Sequence, residues 1–135
     1  TMTGEKLHET QFTSAVTEVA KELNMPVKFF IGFADMNISA YQFYYEFEDE
    51  NTTQEQAEVF TKAVDQRLME KNMEYKAKRE SLRVHAPRTN ILVSESFEKF
   101  KARCIDEGAR DGQFKLNLLL QDENRHAKFK DLVKG

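Results

Sequence analysis

Val27-Lys28-Phe29-Phe30-Ile31-Gly32-Phe33-Ala34-Asp35, the connection Met36-Asn37-Ile38-Ser39, and Ala40-Tyr41-Gln42-Phe43-Tyr44-Tyr45-Glu46-Phe47 together decide the fold class of this chain. Strand side chains alternate between two faces, so a period of two is the relevant signature. In the first run Val27, Phe29, Ile31 and Phe33 share one face, and Lys28, Phe30 and Gly32 take the other. In the second, Tyr41, Phe43, Tyr45 and Phe47 share a face opposed by Gln42, Tyr44 and Glu46. Two such runs across a short connection predict an antiparallel pair. So aromatic a face must be covered, and helices are the available cover. Most of these rings read as core. Phe30 and Tyr44, on the second face, are the ones left exposed if one side of the sheet is open.

Working outward, Phe12, Val16, Val19, Ala20 and Leu23 fall at helical spacing. They predict a helix over 9–23, with Thr10 or Thr13 as N-cap and Asn24 and Pro26 ending it. After the polar turn 48–51, Thr52 or Thr53 caps a long helix whose buried stripe is Ala57, Phe60, Val64 and Leu68. That helix is predicted to end between Asn72 and Glu80. A brief strand over 90–94 follows Pro87. Glu95 or Ser96 then opens a helix with Phe97, Phe100, Cys104 and Ile105 inward, closed by Gly108. Residues 112–120 alternate over part of their length, as a short strand or an extended loop. A last helix opens at Gln121–Asn124 and carries Ala127, Phe129 (or Lys128), Leu132 and Val133 inward. The order α-β-β-α-β-α predicts an α+β sandwich, a small antiparallel or mixed sheet packed by helices.

Between the long helix and the strand after Pro87 lies a basic segment. Lys71, Lys76, Lys78, Arg79, Arg83 and Arg88 stand against only Glu74 and Glu80. It reads either as a set of cations for an acidic face or anionic ligand, or as a solvated helix end with intradomain ion pairs.

The chain has 135 residues, 40% hydrophobic and 32% charged, which suits one domain with a disulfide-free core. A formal net charge of −3 weighs against a general nucleic-acid binder. With the single Cys104 there is no internal disulfide, and a reducing cytoplasm is the simplest compartment. No apolar run approaches a membrane span, and no signal-peptide pattern opens the chain. His8, His85 and His126 lack metal-ligand spacing, and no Gly-rich phosphate loop or Gly-x-Ser-x-Gly elbow is present. Cys104 lies on an apolar stripe and reads as core rather than nucleophile.

An ordered series of motifs carries a resemblance. Asn72-x-Glu74-Tyr75-x-x-Lys78-Arg79-Glu80-Ser81, Pro87-Arg88, Ser96-Phe97-Glu98-x-Phe100 and Gly108-Ala109-x-x-Gly112-Gln113-Phe114-Lys115 follow one another. The series resembles the C-terminal region of the Gretchen Hagen (auxin-responsive promoter) family, acyl-acid amido synthetases of plants and bacteria within the adenylate-forming superfamily. Gly4-Glu5-Lys6-Leu7 resembles the family's entry into that domain, and Asp122-Glu123-Asn124-Arg125-His126 resembles the close of bacterial members. The likeness covers nearly the whole chain. It departs from the family after Lys115, where Leu116-Asn117-Leu118 stands in place of a Pro-Arg pair.

What the resemblance implies is a ferredoxin-like lid, an excised piece of a longer polypeptide that swings against a larger N-terminal adenylation domain. Thr1-Met2-Thr3-Gly4 reads as a chain joined or cut rather than begun. Lys115 would be catalytic, with Gln113, Lys115 and Lys6 contacting the adenylate. Lys78, Arg79, Arg83 and Arg88 would meet the N-terminal domain or nucleotide phosphate. ATP and Mg would be held mainly by that larger domain, with no cofactor tightly bound to this piece. The substrates would be a carboxylic acid and an amine, usually an amino acid, and the piece alone would not turn over. A different reading is a free-standing ferredoxin-like module that dimerises or binds a small ligand or RNA, which requires exposed Phe30 and Tyr44 beside the basic segment.

Overall fold

The register of the central hairpin organises the molecule. The computed structural model describes residues 7–106, 119–120 and 130–133. In chain order the elements are α1 (Glu9–Glu22), β1 (Val27–Asp35), β2 (Ala40–Phe47), α2 (Gln54–Lys71), α3 (Met73–Glu80), β3 (Arg88–Ile91), α4 (Ser96–Asp106), β4 (Leu119–Leu120) and a 3-10 turn at Lys130–Leu132. β1 and β2 pair antiparallel, with Ile31 opposite Tyr44 and Gly32 opposite Phe43. β3 lies parallel to β2 and β4 parallel to β1, giving a mixed sheet in the order β3-β2-β1-β4. The fold is α+β, as the alternation and helical stripes predicted.

That register splits the aromatic residues between two cores. Tyr41, Phe43, Tyr45 and Phe47 of β2 share a face with Phe30 and Ala34 of β1, under Phe12, Val16 and Val19 of α1 and Phe60, Val64 and Leu68 of α2. Phe29, Ile31 and Phe33 face the other way with Tyr44, under Phe97 and Phe100 of α4 and Leu132. A register shift between Val27 and Phe29 returns Val27 to the first core, since one extra residue flips a side chain across the sheet. Both faces are therefore covered. Tyr44 is buried and Phe30 half-buried, on opposite faces, which corrects the expectation that they share an open one. Phe12 packs against Phe43 with ring centroids 4.8 Å apart, and Phe29 against Phe97 at 5.1 Å, both pairs tilted. Each fully buried ring removes enough apolar area from water to stabilise the fold by about 1.5–3 kcal/mol.

The helix ends show which local signals won. Asn24 takes φ 54 after α1 and ends it, as expected, but His8 is the N-cap in place of either threonine. Gln11 explains the difference: its Oε1 accepts from His8 N (3.1 Å) and from Asn72 Nδ2 (3.1 Å), and its Nε2 donates to Lys71 O (3.1 Å). Thr53 caps α2 with Gln56 as its reciprocal partner. The long helix breaks at Asn72, whose extended backbone lets Oδ1 accept from Tyr75 N (3.0 Å) and start α3. An asparagine side chain competes with the helical ladder in this way. β3 begins at Arg88, two residues earlier than predicted.

α4 is capped from outside. Its N-cap residue Glu95 has φ 67, outside the extended geometry from which a side chain caps its own helix. Glu46 of β2 substitutes, accepting from Glu95 N (2.9 Å) and Phe97 N (3.2 Å). Leu132 closes the second core, and Val133, expected in a helix, pairs with Leu92 in an isolated antiparallel bridge. Arg103 of α4 forks onto Asp131, Nη1 to Oδ1 at 2.7 Å and Nη2 to Oδ2 at 3.2 Å. The expected stop at Gly108, the helix start at 121–124 and the inward Cys104 and Ile105 side chains lie outside what is described.

Candidate functional site

α2 carries two polar residues on its buried stripe, Thr61 and Asp65, and these build the site. They sit four residues apart in the row that begins at Ala57, so they turn with the apolar positions towards the sheet. Thr61 Oγ1 and Tyr45 Oη hydrogen-bond at 2.9 Å. Asp65 accepts from Tyr75 Oη at 2.6 Å, and Arg79 reaches it through Nε (3.1 and 3.2 Å) and Nη2 (2.7 Å). Tyr75 and Arg79 stand four residues apart on α3, on one side of that helix. Asp65 thus locks α3 against α2.

Burial and the carboxylate of Asp65 push the Tyr75 hydroxyl well above its ordinary range. Burial, with a lesser push from the Asp65 charge, raises that of Tyr45 against the opposing Thr61 hydrogen bond. The hydrogen bonds from Arg79 to Asp65 raise the guanidinium's affinity for its proton. With its oxygens occupied by Tyr75 and Arg79, Asp65 is a structural partner rather than a general base.

An open groove of about 460 Å³ runs beside this lock, between α2 and the segment that leads into β3. Lys62, Arg79 and Arg88 supply its cations, Glu58 and Asp65 its carboxylates, and Met69, Ala86 and Pro87 its apolar surface. Such a lining suits an anionic group or a neighbouring surface. It holds no paired nucleophile and base.

The basic segment is divided. Arg79 is taken up inside the domain by Asp65, one of the two alternatives that the sequence left open. Arg88 is exposed at the start of β3 and lines the groove, joined there by Lys62, which the sequence reading did not single out. Lys78 and Arg83 do not line it. Lys62, Lys78, Arg83 and Arg88 have no carboxylate partner among the described residues. Lys71 bonds to Glu18 Oε2 (2.7 Å), and Arg67 bridges Glu18 and Glu22, so these two cations bind α2 to α1. Lys6, Gln113 and Lys115 lie outside the described residues. Asp65 was missed because a carboxylate on an apolar stripe looks like an irregularity. The usable signal was a polar pair at the 57-61-65 spacing with a tyrosine and an arginine ten and fourteen residues on. Among the described residues no group of three or more His, Cys, Asp or Glu could hold a metal ion, and no helix is long and apolar enough to cross a membrane.

Comparison with known proteins places this architecture. No curated protein sequence matches the chain closely enough to count. Two solved structures share the fold over the whole chain. One is described as GH3.15 acyl acid amido synthetase, with a TM-score of 0.85 at 16% identity. The other is AtGH3.15 acyl acid amido synthetase in complex with 2,4-DB, with a TM-score of 0.81 at 14% identity. At these identities the likeness establishes the fold. The chain spans 25% of the length of each. The model of the GH3 family C-terminal domain matches residues 10–124, covering the split basic segment and all the elements from α1 to β4. This chain belongs to the GH3 family, as a C-terminal domain of that family.

Proposed function

We propose that this domain is the mobile C-terminal lid of an ATP-dependent acyl-acid amido synthetase and has no turnover alone. The observation that carries the reading is the family match over residues 10–124, joined to a fold shared with two proteins described as acyl acid amido synthetases. The chain spans a quarter of those proteins, which supports a larger N-terminal adenylation domain in the same polypeptide as its partner. In the reaction a carboxylate oxygen attacks the α-phosphorus of ATP and pyrophosphate leaves. The amine nitrogen then attacks the acyl carbon, AMP leaves with the carboxylate oxygen, and the amine proton passes to solvent. ATP and Mg are held mainly by the N-terminal domain, in a cytoplasmic enzyme.

The domain's part is rotation, exclusion of water and delivery of charge. Lys115 is the proposed catalytic cation, with Gln113 and Lys6 beside the adenylate. Arg88, Arg83 and Lys78 are proposed contacts to the larger domain or to phosphate, which suits cations with no partner among the described residues. Arg79 contributes by holding α3 in place.

The test uses the full-length polypeptide encoded upstream of and through this chain. Pyrophosphate exchange with a panel of carboxylic acids, followed by amide formation with amino acids, should proceed in that protein and be absent from the 135-residue chain. Lys115→Ala should depress amide formation; undiminished turnover in that variant removes Lys115 from the mechanism.

A further inference from the structure

α3 ends in an arrangement that favours glycine and has a leucine instead. Leu82 N donates to Arg79 O (3.2 Å) and Arg83 N to Lys78 O (3.0 Å), the paired bonds that close a helix through a left-handed residue. Leu82 is that residue, with φ 63. A side chain with a Cβ is penalised there, and glycine is not. The strain brings no return inside the domain, because the Leu82 side chain is 66% exposed. The neighbouring Val84 is buried and holds the loop down.

The loop is joined to a second strained turn. His85 N donates to Ser39 O (2.8 Å), and Ser39 has φ 50 at the end of the β1–β2 connection. That connection presents Met36, 61% exposed. The parallel register of Gln42 with Arg88 places both turns at one end of the sheet. Arg83 and Lys78 have no carboxylate partner among the described residues, whereas Asp35 at this end is taken up by Gln42 Nε2 (2.9 Å) and Asn37 N (3.1 Å). Two exposed apolar side chains beside uncompensated cations have the anatomy of a docking surface.

We infer that this end of the sheet, anchored by Leu82 and Met36 and rimmed by Arg83 and Lys78, docks onto the larger N-terminal body of the synthetase at an apolar socket bordered by carboxylates. The inference rests on the lid reading. The matched proteins, of which this chain spans a quarter, point to a body of that size as the occupant, and the cations set the charge of its rim.

Hydroxyl-radical footprinting of the full-length polypeptide, compared with the 135-residue chain alone, reads the surface directly. Met36 and Leu82 should label several-fold more slowly in the full-length protein. Leu82→Gly provides the second arm without endangering the fold. It should raise the Tm of the 135-residue chain by about 3 °C while restoring fast labelling of Met36 and lowering amide formation about tenfold in the full-length protein. A full-length protein that forms amide yet labels both residues as fast as the short chain overturns the docking surface and leaves the synthetase reading standing. Protection without amide formation does the reverse. Protection that grows with the concentration of the 135-residue chain alone assigns the surface to a second copy and overturns the inference.

Discussion

The two faces of the sheet are held by different physics. On the first face α1, α2 and α3 bury a continuous aromatic and aliphatic core, and its polar groups are satisfied within it by the Tyr45–Thr61 pair and the Asp65–Tyr75–Arg79 lock. On the second, α4 and the turn at Lys130–Leu132 cover a cluster that is smaller among the described residues, and one buried carboxylate, Glu46, receives the start of α4. The first face is a packed layer whose removal unfolds the domain. Among the described residues α4 joins the second face through the Phe97 and Phe100 rings against Phe29 and the hydrogen bonds to Glu46, and local opening follows the smaller attachments. Buried polar groups therefore serve two ends here: they lock elements on one face and seat a helix on the other.

The sharpest way to break this contrast is at Asp65. Asp65→Ala leaves the Arg79 guanidinium and the Tyr75 hydroxyl without their acceptor and should destabilise the domain by about 3–5 kcal/mol, read from urea unfolding. A loss below 1 kcal/mol would show that the lock is ornamental.

Alkaline titration tests the same face next. Tyr45 and Tyr75 have folded-state affinities for the proton above the ordinary value of 10.0, mainly through burial. Their contribution to stability is present below pH 10 and declines as pH rises towards the folded values. Tyr45 and Tyr75 should therefore ionise only as the domain unfolds, seen as a tyrosinate absorbance step coincident with loss of circular dichroism.

On the second face, Glu46→Gln should cost about 1.5–3 kcal/mol. It should speed hydrogen exchange at Glu95 and Phe97 more than at amides of α2. Uniform acceleration across both faces would mean that α4 is not separately seated.

The smallest effect lies on the α1–α2 surface. Lys71 and then Arg67 hold the Glu18 carboxyl below its ordinary 4.5, although burial opposes them. The stability this brings is present above pH 4.5 and is lost as pH falls through the lower folded value. Glu18→Gln should flatten the acid limb of a Tm-against-pH curve by lowering the neutral value slightly, with the value below the folded titration nearly unchanged.

Part of the candidate site was legible before any coordinates. The density of cations between Lys71 and Arg88 was plain, and Arg88 does line the groove. Local spacing had no means of separating Arg79, which is consumed by a carboxylate fourteen residues away, from Arg83, which has no such partner among the described residues. Lys62 and Asp65 were passed over because each becomes notable only once α3 has folded back beside α2. The residues singled out through the family likeness, Lys6, Gln113 and Lys115, fall outside the described structure, so their roles rest on the proposal.

By itself the amino-acid order determined most of the elements, because they follow from local rules: period-two aromatic runs for β1 and β2, 3.6-period stripes for α1, α2 and α4, Thr53 as a start and Asn24 as a stop. In the sequence the separate helix α3 reads as the end of α2. It also carried the family, through motifs in a set order. The partition of the rings between two cores was decided only in three dimensions. Alternation says which residues of a strand share a face, but not which face of one strand joins which face of its neighbour. The pairing of Gly32 with Phe43 puts the Tyr41–Phe43–Tyr45–Phe47 side of β2 and the Phe29–Ile31–Phe33 side of β1 on different faces of the sheet, and the slip beside Val27 moves that residue to the first of them. The same holds for Glu46, whose capping of α4 spans about fifty residues of sequence, and for the split of the basic segment. Long-range partners have no local signature, and tertiary packing chooses them.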